Sequence, residues 1–248
     1  FTSHDVVAKM RGICGQKKIG HTGTLDPEAT GVLPVCLGSG TRLCDMLADR
    51  NKEYVAELLL GVTTDTQDIT GQILARKDVV CTEEEVCQAI LSFQGEYLQI
   101  PPMYSALKVN GKKLYELARA GKARPVNILE VEILEMKLPR VTMRIACSKG
   151  TYIRTLCHDI GVKLGCGGTM ESLKRTRVGE FGIEEALTLG QLQELKDGGN
   201  LEECVRSVET CFVRYPVIHV SAEHGKLLDN GNACYPSHTL EKKKYHAG

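Results

Sequence analysis

The 248-residue sequence lacks several features that would point to a class of protein at once. It has no tryptophan, no C-x-x-C pair, no G-x-x-x-x-G-K phosphate loop and no G-x-G-x-x-G dinucleotide loop. No apolar run approaches the roughly 18 residues that a membrane span needs. The sequence therefore favours neither the common nucleotide-dependent enzymes nor a membrane protein, and a cytoplasmic protein with reduced thiols is expected.

Net charge is missing as well, because 31 basic side chains balance 31 acidic ones. A neutral surface argues against binding of nucleic acid over the whole protein. The charge is nevertheless uneven: residues 101–124 hold six bases and one acid, and residues 184–209 hold seven acids and two bases. The basic stretch predicts one face that binds a polyanion, with an ordinary solvated basic helix as the alternative.

Cysteine is plentiful, but its spacing is typical of neither a disulfide framework nor a metal site. The eleven cysteines are scattered, and most have apolar neighbours, as in LPVCLG and RIACS. In such surroundings a free thiol behaves as a small hydrophobic residue. Cys157 and His158 are adjacent but have no further ligands at zinc spacing, so no metal site is expected.

Periodicity predicts paired strands with helices at irregular intervals. ILEVEILEM and VTMRIAC alternate between apolar and polar residues, which predicts two half-buried antiparallel strands. A helix is predicted from Ser3, as its cap, to Arg11, and another after Thr82, whose capping box includes Glu85. This arrangement predicts an α+β fold with a mixed sheet rather than a doubly wound array. The remaining predicted elements are strands at 53–61 and 71–80, a short buried strand or turn at 32–38, helices at 41–49, 112–121 and 184–208, and at 151–165 a strand end that runs into a helix.

One loop, GHTGTLDPEATG at residues 20–31, places three glycines, three threonines and a proline around the carboxylate of Asp26. Glycine permits positive φ, and Pro27 fixes the backbone angle after the acid, so the loop can hold the carboxylate in a set position. The alternative is a tight connection in which Asp26 only satisfies local N–H groups.

A lone aspartate can do covalent or base chemistry at an anomeric carbon without a cofactor. It then needs an arginine to orient it and keep it ionised, and Arg154 is a candidate. A substrate base would also need an aromatic platform, for which Tyr54 and Tyr152 are candidates. The ordinary alternatives are a strand tyrosine, a surface cation and, at His21, a loop histidine. No second carboxylate stands at a motif-like spacing, so a two-acid glycosidase is not indicated.

Five motifs decide between these alternatives, because they resemble motifs that occur in the same order in the TruB family of pseudouridine synthases. The bacterial tRNA members are the most similar, and the resemblance covers about residues 1–195. Five ordered motifs are far more specific than one short pattern. The motifs are GHTGTLDPEATGVLPVCLGSGTRL, KEYVAELLLGVTTDTQDITG, IPPMYSALKVNGKKLYELARAG, GTYIRTLCHDIG and LKRTRVGEF.

The resemblance implies a role for each candidate residue. Asp26 takes the place of the family's catalytic aspartate, and Arg154 that of the arginine that pairs with it. Tyr54 matches the tyrosine that stacks on the substrate base. The other matches are the loop histidine His21, the second active-site tyrosine Tyr152, the floor leucine Leu173 and, in the basic insertion, the RNA backbone contacts Lys108, Lys112 and Lys113.

The activity that the resemblance implies is isomerisation of the T-loop uridine (tRNA position 55) to pseudouridine. The N1–C1′ bond breaks and the uracil rejoins through C5, which requires no redox cofactor, metal or ATP. The uridine must be flipped out of the folded T-loop. The expected partner is the T-arm stem-loop of tRNA, with no membrane and no obligatory protein partner, and a monomer is expected.

The resemblance also implies the domain organisation. A pseudouridine-synthase fold, with a mixed, mainly antiparallel central sheet flanked by helices, is expected over residues 1–210, with an RNA-clamping insertion at 99–124. Residues 211–248 are expected to form part of a small C-terminal RNA-binding (PUA-like) module, truncated after Pro236. The family's first strand is expected to precede Phe1.

Three alternatives are weighed against this interpretation. A tRNA-folding chaperone on the same fold is opposed by the intact Asp26, Tyr54 and Arg154. A guide-RNA-dependent synthase subunit is opposed by the short insertion and by PMYSALK. An aspartyl-phosphate enzyme, suggested by DPEAT, would need a second acid two residues on and a magnesium site; Glu28 stands there and no helper motif follows.

Overall fold

The structure is a computed structural model that describes residues 1–102, 108–109, 112–113, 123–213 and 215–241. It divides into two compact units, Phe1–Leu201 and Glu202–Gly248. The boundary after residue 210 that the sequence suggested stays a prediction. None of the helices in the described ranges is both long and apolar enough to cross a membrane.

The larger unit contains all of the named strands and most of the helices. The helices are α1 (Ser3–Cys14), α2 (Cys44–Ala48), α3 (Glu83–Leu91), α4 (Ile153–Lys163) and α5 (Leu189–Asp197). The strands are β1 (Ile19–His21), β2 (Thr30–Gly31), β3 (Val35–Leu37), β4 (Lys52–Leu60), β5 (Val62–Thr64), β6 (Ile73–Arg76), β7 (Gly95–Gln99), β8 (Lys108–Val109), β9 (Lys112–Lys113), β10 (Arg124–Lys137), β11 (Arg140–Cys147), β12 (Gly168–Val178) and β13 (Phe181–Gly182).

A seven-stranded sheet organises this unit, in the order β13-β12-β4-β11-β10-β7, with β2 added beside β12. The pairs along the main path are antiparallel, whereas β2 pairs with β12 in parallel. The prediction of a mixed, mainly antiparallel sheet with flanking helices is confirmed. The long β10–β11 hairpin corresponds to the two alternating segments of the sequence.

The main core lies between this sheet and helices α3 and α4. Val141, Met143 and Ile145 alternate along β11 and are fully buried, as strict alternation predicts. Val86 and Ile90 of α3 pack against them in the same core. Complete burial in this core raises the pKa of the Cys157 thiol to about 12, so Cys157 serves as a small apolar residue.

Helix caps explain where α1 and α3 begin. Thr82 caps α3 and forms the predicted capping box with Glu85. The cap of α1 is Thr2, which forms a capping box with Asp5, so the prediction of Ser3 as the cap is wrong. Ser3 is instead buried, and its hydroxyl accepts the N–H of Leu25 at 2.9 Å. This bond ties the start of α1 to the aspartate-bearing loop.

Several predicted elements are shorter in the structure than in the sequence analysis. The strand expected at 71–80 spans only β6, and the strand or turn expected at 32–38 includes only β3. The helical stretch expected at 184–208 contains one α-helix, α5, with short 3-10 turns beside it. The predicted helix from residue 112 is wrong at its start, because Lys112–Lys113 form a strand with β8. Residues 114–121 of that prediction lie outside the described residues.

The smaller unit consists of short elements within its described part. It contains α6 (Gly225–Asp229), 3-10 turns and a single antiparallel bridge between Val220 and Thr239. The rings of His224 and His238 stack with 4.2 Å between their centroids.

A half-buried acid in α4, Asp159, makes stability depend on pH. Desolvation raises the pKa of Asp159 from 3.8 to about 6. Because the folded-state pKa lies above the unfolded one, stability falls as pH rises from 4 to 6, and the whole cost remains above pH 6. We expect Asp159→Asn to stabilise the protein above pH 6 by about 1 kcal/mol, since partial exposure screens the charge.

Urea unfolding at pH 4, 5, 6 and 7.5 measures this effect. The gain should be smallest at pH 4, where the carboxyl of the folded wild type is almost fully protonated. Asp78→Asn, at an exposed position, is the matched control and should show no such pH dependence. A gain for Asp159→Asn that is the same at every pH would contradict the assignment.

Candidate active site

The aspartate-bearing loop is fixed to the large unit at both ends. It leaves β1 at His21, and the N–H of Thr22 donates to the carbonyl of Pro34 at 3.1 Å. A backbone turn closes where the N–H of Ala29 donates to the carbonyl of Asp26 at 2.9 Å. The carboxylate of Asp26 is therefore not needed to close this turn.

Gly31 allows the loop to approach strand β12 closely. Its φ is +107°, in the region that disfavours side chains, and a Cβ there would lie 2.1 Å from the carbonyl oxygen of Arg175. The next residue, Val32, donates its N–H to that same carbonyl at 2.8 Å. Glycine is thus required where the loop joins the sheet.

Arg175 is a buried residue that holds the same loop, and it was not among the site residues that the sequence singled out. It is 1% exposed, and its Nε donates to the carbonyl of Val32 at 2.7 Å. Its Nη2 donates to the carbonyl of Gly23 at 3.2 Å. Two loop carbonyls thereby satisfy a guanidinium that would otherwise be costly to bury.

Asp26 and Arg154 meet in a two-point ion pair. The Nε of Arg154 lies 2.9 Å from Oδ2 of Asp26, and its Nη2 donates to Oδ1 at 3.2 Å. The side chain of Arg154 is 7% exposed, whereas that of Asp26 is 34% exposed. Arg154 lies in the first turn of α4, so the helix places a fixed cation behind a carboxylate that solvent or a ligand reaches.

A second carboxylate, Asp68, shares the guanidinium of Arg154 and was not singled out from the sequence. Nη1 of Arg154 lies 3.2 Å from Oδ2 of Asp68. The hydroxyls of Thr66 and Thr70 both donate to Oδ1 of Asp68. Gln67 precedes it with a φ of 65°, rare for a residue other than glycine. The available signal was the TTDTQDITG motif, which was used only to recognise the resemblance.

The two carboxylates have pKa values shifted in opposite directions. Burial raises the pKa of Asp26, and the nearby Arg154 only partly offsets this effect. Burial also raises the pKa of Asp68, but hydrogen bonds from Thr70 and Thr66 outweigh it, so that pKa lies below its usual value. Asp68 thus remains ionised under conditions in which Asp26 takes up a proton.

Tyr54 lies on β4 directly opposite Arg175 of β12. Burial raises the pKa of its phenol to about 12, so the side chain is neutral at neutral pH. The charge of Asp26 contributes to this increase, which places both residues in one electrostatic neighbourhood. Leu173, two residues before Arg175, is buried in the main core.

The other predicted site residues are Tyr152, His21 and three lysines. Tyr152 is the N-cap of α4, two residues before Arg154. Burial and the charge of Arg175 lower the pKa of His21, which favours a neutral imidazole. The side chains of Lys108, Lys112 and Lys113 lie outside the described residues, so their predicted RNA contacts stay predictions.

Two other bases that could have formed an RNA path are engaged by acids. Arg144 contacts the carboxylates of Glu53, Glu130 and Glu132 at 2.6 to 3.3 Å. Lys149 lies 2.7 Å from Asp49. Both of these bases are therefore paired with acids.

Two protein-family models match this chain, and the residues they match include the site. A model described as "TruB family pseudouridylate synthase (N terminal domain)" matches residues 11–153. A model described as "tRNA pseudouridylate synthase B C-terminal domain" matches residues 154–213. Together they include Asp26, Tyr54, Asp68, Arg154 and Arg175.

Full-length relatives match over nearly the whole chain. A tRNA pseudouridine synthase B of Alkaliphilus oremlandii is 46% identical over 97% of this chain and 81% of its own length. One from Lachnoclostridium phytofermentans is 51% identical, covering 94% of this chain and 80% of its own length.

Solved structures of similar fold include chains from complexes that contain Cbf5. A chain of a Cbf5–Nop10–Gar1 complex superposes with a TM-score of 0.76 at 30% identity. A chain of the archaeal box H/ACA Nop10–Cbf5 complex superposes with a TM-score of 0.74 at 29% identity. Each match covers 96% of this chain and 66% of the other.

Proposed function

This chain belongs to the TruB family of pseudouridine synthases, and from that premise we propose that it isomerises the T-loop uridine of tRNA with Asp26 as the reacting carboxylate. The ion pair between Asp26 and Arg154 is the observation that carries the proposal. It is a stand-alone tRNA pseudouridine synthase like its named relatives, and hence an isomerase.

The reaction conserves atoms and electrons within the nucleotide. The C1′–N1 bond breaks, a C1′–C5 bond forms, and the proton on C5 is exchanged for one on N1. Asp26 either attacks C1′ or removes the 2′ proton, and both steps need the ionised carboxylate. Burial raises the pKa of Asp26. As the pH is lowered, the rate should therefore begin to fall at a higher pH than it would with an exposed aspartate.

Tyr54 suits the role of a platform for the flipped uracil. Its high pKa keeps the phenol neutral, so the ring offers an uncharged face for stacking. Leu173 would form the apolar floor beneath the base. His21, as a neutral imidazole, would fill the space that the base leaves when it flips out.

Release of tritium from a T-arm stem-loop labelled at C5 of the T-loop uridine tests the proposal. The protein alone should release the label without metal or guide RNA. The same stem-loop labelled only at a stem uridine is the control and should release none. Tight binding without release would favour the chaperone interpretation of the fold.

The basic insertion gives a separate prediction about affinity. Neutralising Lys108, Lys112 and Lys113 together to glutamine should weaken T-arm binding and reduce the salt slope by about 2, since fewer counterions are released. Single-turnover isomerisation at saturating RNA should change little, because these side chains would contact phosphates. The measurement is affinity at several salt concentrations together with that rate.

Glutamine at Lys9, Lys77 and Lys137 is the matched control, since it removes three exposed cations elsewhere in the chain. That variant should keep the wild-type slope. Equal slopes for the two triple variants would mean that the insertion is only a solvated basic face.

A further inference from the structure

The connection from β11 to α4 is held by the side chain of a fully buried glutamine, Gln99. Its Oε1 accepts the N–H of Tyr152 at 2.8 Å, and its Nε2 donates to the carbonyl of Tyr152 at 2.9 Å. The second hydrogen of Nε2 donates to the hydroxyl of Tyr97. A satisfied amide at 0% exposure fixes the backbone of Tyr152 on both sides.

Arg124 holds the same connection from the neighbouring strand. It lies opposite Gln99 in the β7–β10 register, and its Nη2 donates to the carbonyl of Gly150. Its guanidinium also lies 5.2 Å from the centroid of the Tyr152 ring. Arg124 and Gln99 therefore act on one short segment, residues 150–152.

That segment leads directly into the active site. Tyr152 is the N-cap of α4, and Arg154 follows it within the first turn. The position of Tyr152 thus determines where the guanidinium of Arg154 meets Asp26. A displacement of about 1 Å in such a geometry can cost on the order of 100-fold in rate.

We propose that Gln99 and Arg124 are positioning residues that act through Tyr152 to align Arg154 with Asp26. The inference rests on the proposed function. These two residues are the first and the last of the insertion expected at 99–124, and they pair with each other where it leaves the sheet.

Gln99→Leu tests the first residue. It removes both hydrogen bonds to the backbone of Tyr152 and fills the buried position with an apolar side chain of similar size. The single-turnover rate at saturating T-arm should fall about tenfold or more, with the dissociation constant within about threefold of wild type. Gln99→Glu keeps the acceptor for the Tyr152 N–H and loses the donor, so it should recover part of the rate at most.

A control in the same sheet is needed to show that the rate loss of Gln99→Leu is not caused by lower stability alone. Val126→Ala truncates a buried residue two positions along β10 from Arg124, and its apolar side chain can make no hydrogen bond to Tyr152 or Arg154. Its rate per folded molecule should equal that of wild type. A rate loss in Gln99→Leu that matches Val126→Ala would overturn the proposal.

Arg124 offers a second test at a less buried position. Arg124→Met should lower the saturated rate, and Arg124→Lys should not restore it, because an ammonium cannot both donate to Gly150 and cover the Tyr152 ring. A double Gln99→Leu, Arg124→Met variant should lose less than the product of the single losses. Restoration by lysine together with an altered salt slope would instead make Arg124 a phosphate contact and contradict the proposal.

Hydrogen exchange at the amide of Tyr152 separates this inference from the proposed reaction. The amide should exchange faster in Gln99→Leu than in wild type or Val126→Ala, whatever RNA the protein modifies. Faster exchange without any tritium release from wild type would reject the reaction and retain the contact. Unchanged exchange would reject the positioning role.

Discussion

An Asp26→Asn variant is expected to bind a T-arm stem-loop almost as tightly as wild type and to lose turnover by about 100-fold or more. The amide can neither attack C1′ nor accept the 2′ proton. Asp68 also contacts Arg154, but it faces the guanidinium from another side and is held by the hydroxyls of Thr66 and Thr70. It therefore cannot replace the carboxylate of Asp26 in the reaction. Affinity is retained because it comes mainly from phosphate and shape contacts.

Filter binding and tritium release on the same RNA measure the two properties. Asp45→Asn, which removes an exposed carboxylate, is the control and should leave both unchanged. Residual turnover of Asp26→Asn within about tenfold of wild type would move the chemistry to another residue.

Arg154→Lys is expected to lower the single-turnover rate at saturating RNA by about 100-fold, with little change in affinity. The guanidinium bridges two carboxylates, contacting Asp26 through two nitrogens and Asp68 through the third. A single ammonium cannot reproduce this fork. Lysine keeps the positive charge but contacts a carboxylate through one nitrogen, so Asp26 would lose its fixed orientation.

Arg140→Lys is the matched control for this substitution. Arg140 makes a similar two-point contact, with Nε 2.6 Å and Nη2 2.9 Å from the carboxylate of Glu171, but at an exposed position. Its replacement should leave the rate unchanged. If Arg154→Lys weakened binding and kept the saturated rate, Arg154 would be assigned to the phosphates instead.

The parts of the fold that follow from local rules were predicted from the sequence. The alternation of β10 and β11 and the Thr82 cap depend only on neighbouring residues, and both predictions are confirmed. The cap of α1 was assigned one residue late because Thr2 and Ser3 have equal capping chemistry. The choice depends on Leu25, a tertiary partner that uses the hydroxyl of Ser3.

The site itself was only partly accessible from the sequence. Asp26 and Arg154 are separated by 128 positions, and the resemblance, not spacing, suggested their pairing. Arg175 was not singled out as a site residue, because composition does not show that loop carbonyls surround it. Asp68 and Gln99 act through contacts 86 and 53 positions away, which no local pattern reports.

The parallel pairing of β2 with β12 has a consequence for the order in which the protein is made. Thr30 and Gly31 leave the ribosome well before their partners Lys174 and Arg175. At typical rates of synthesis the loop waits roughly 10 to 30 seconds for the strand that seats it. For most of that interval Arg154 has not been synthesised either, so Asp26 has neither this arginine nor the sheet edge beside it. We therefore expect the catalytic centre to assemble last within the large unit, after most of its sheet has been translated.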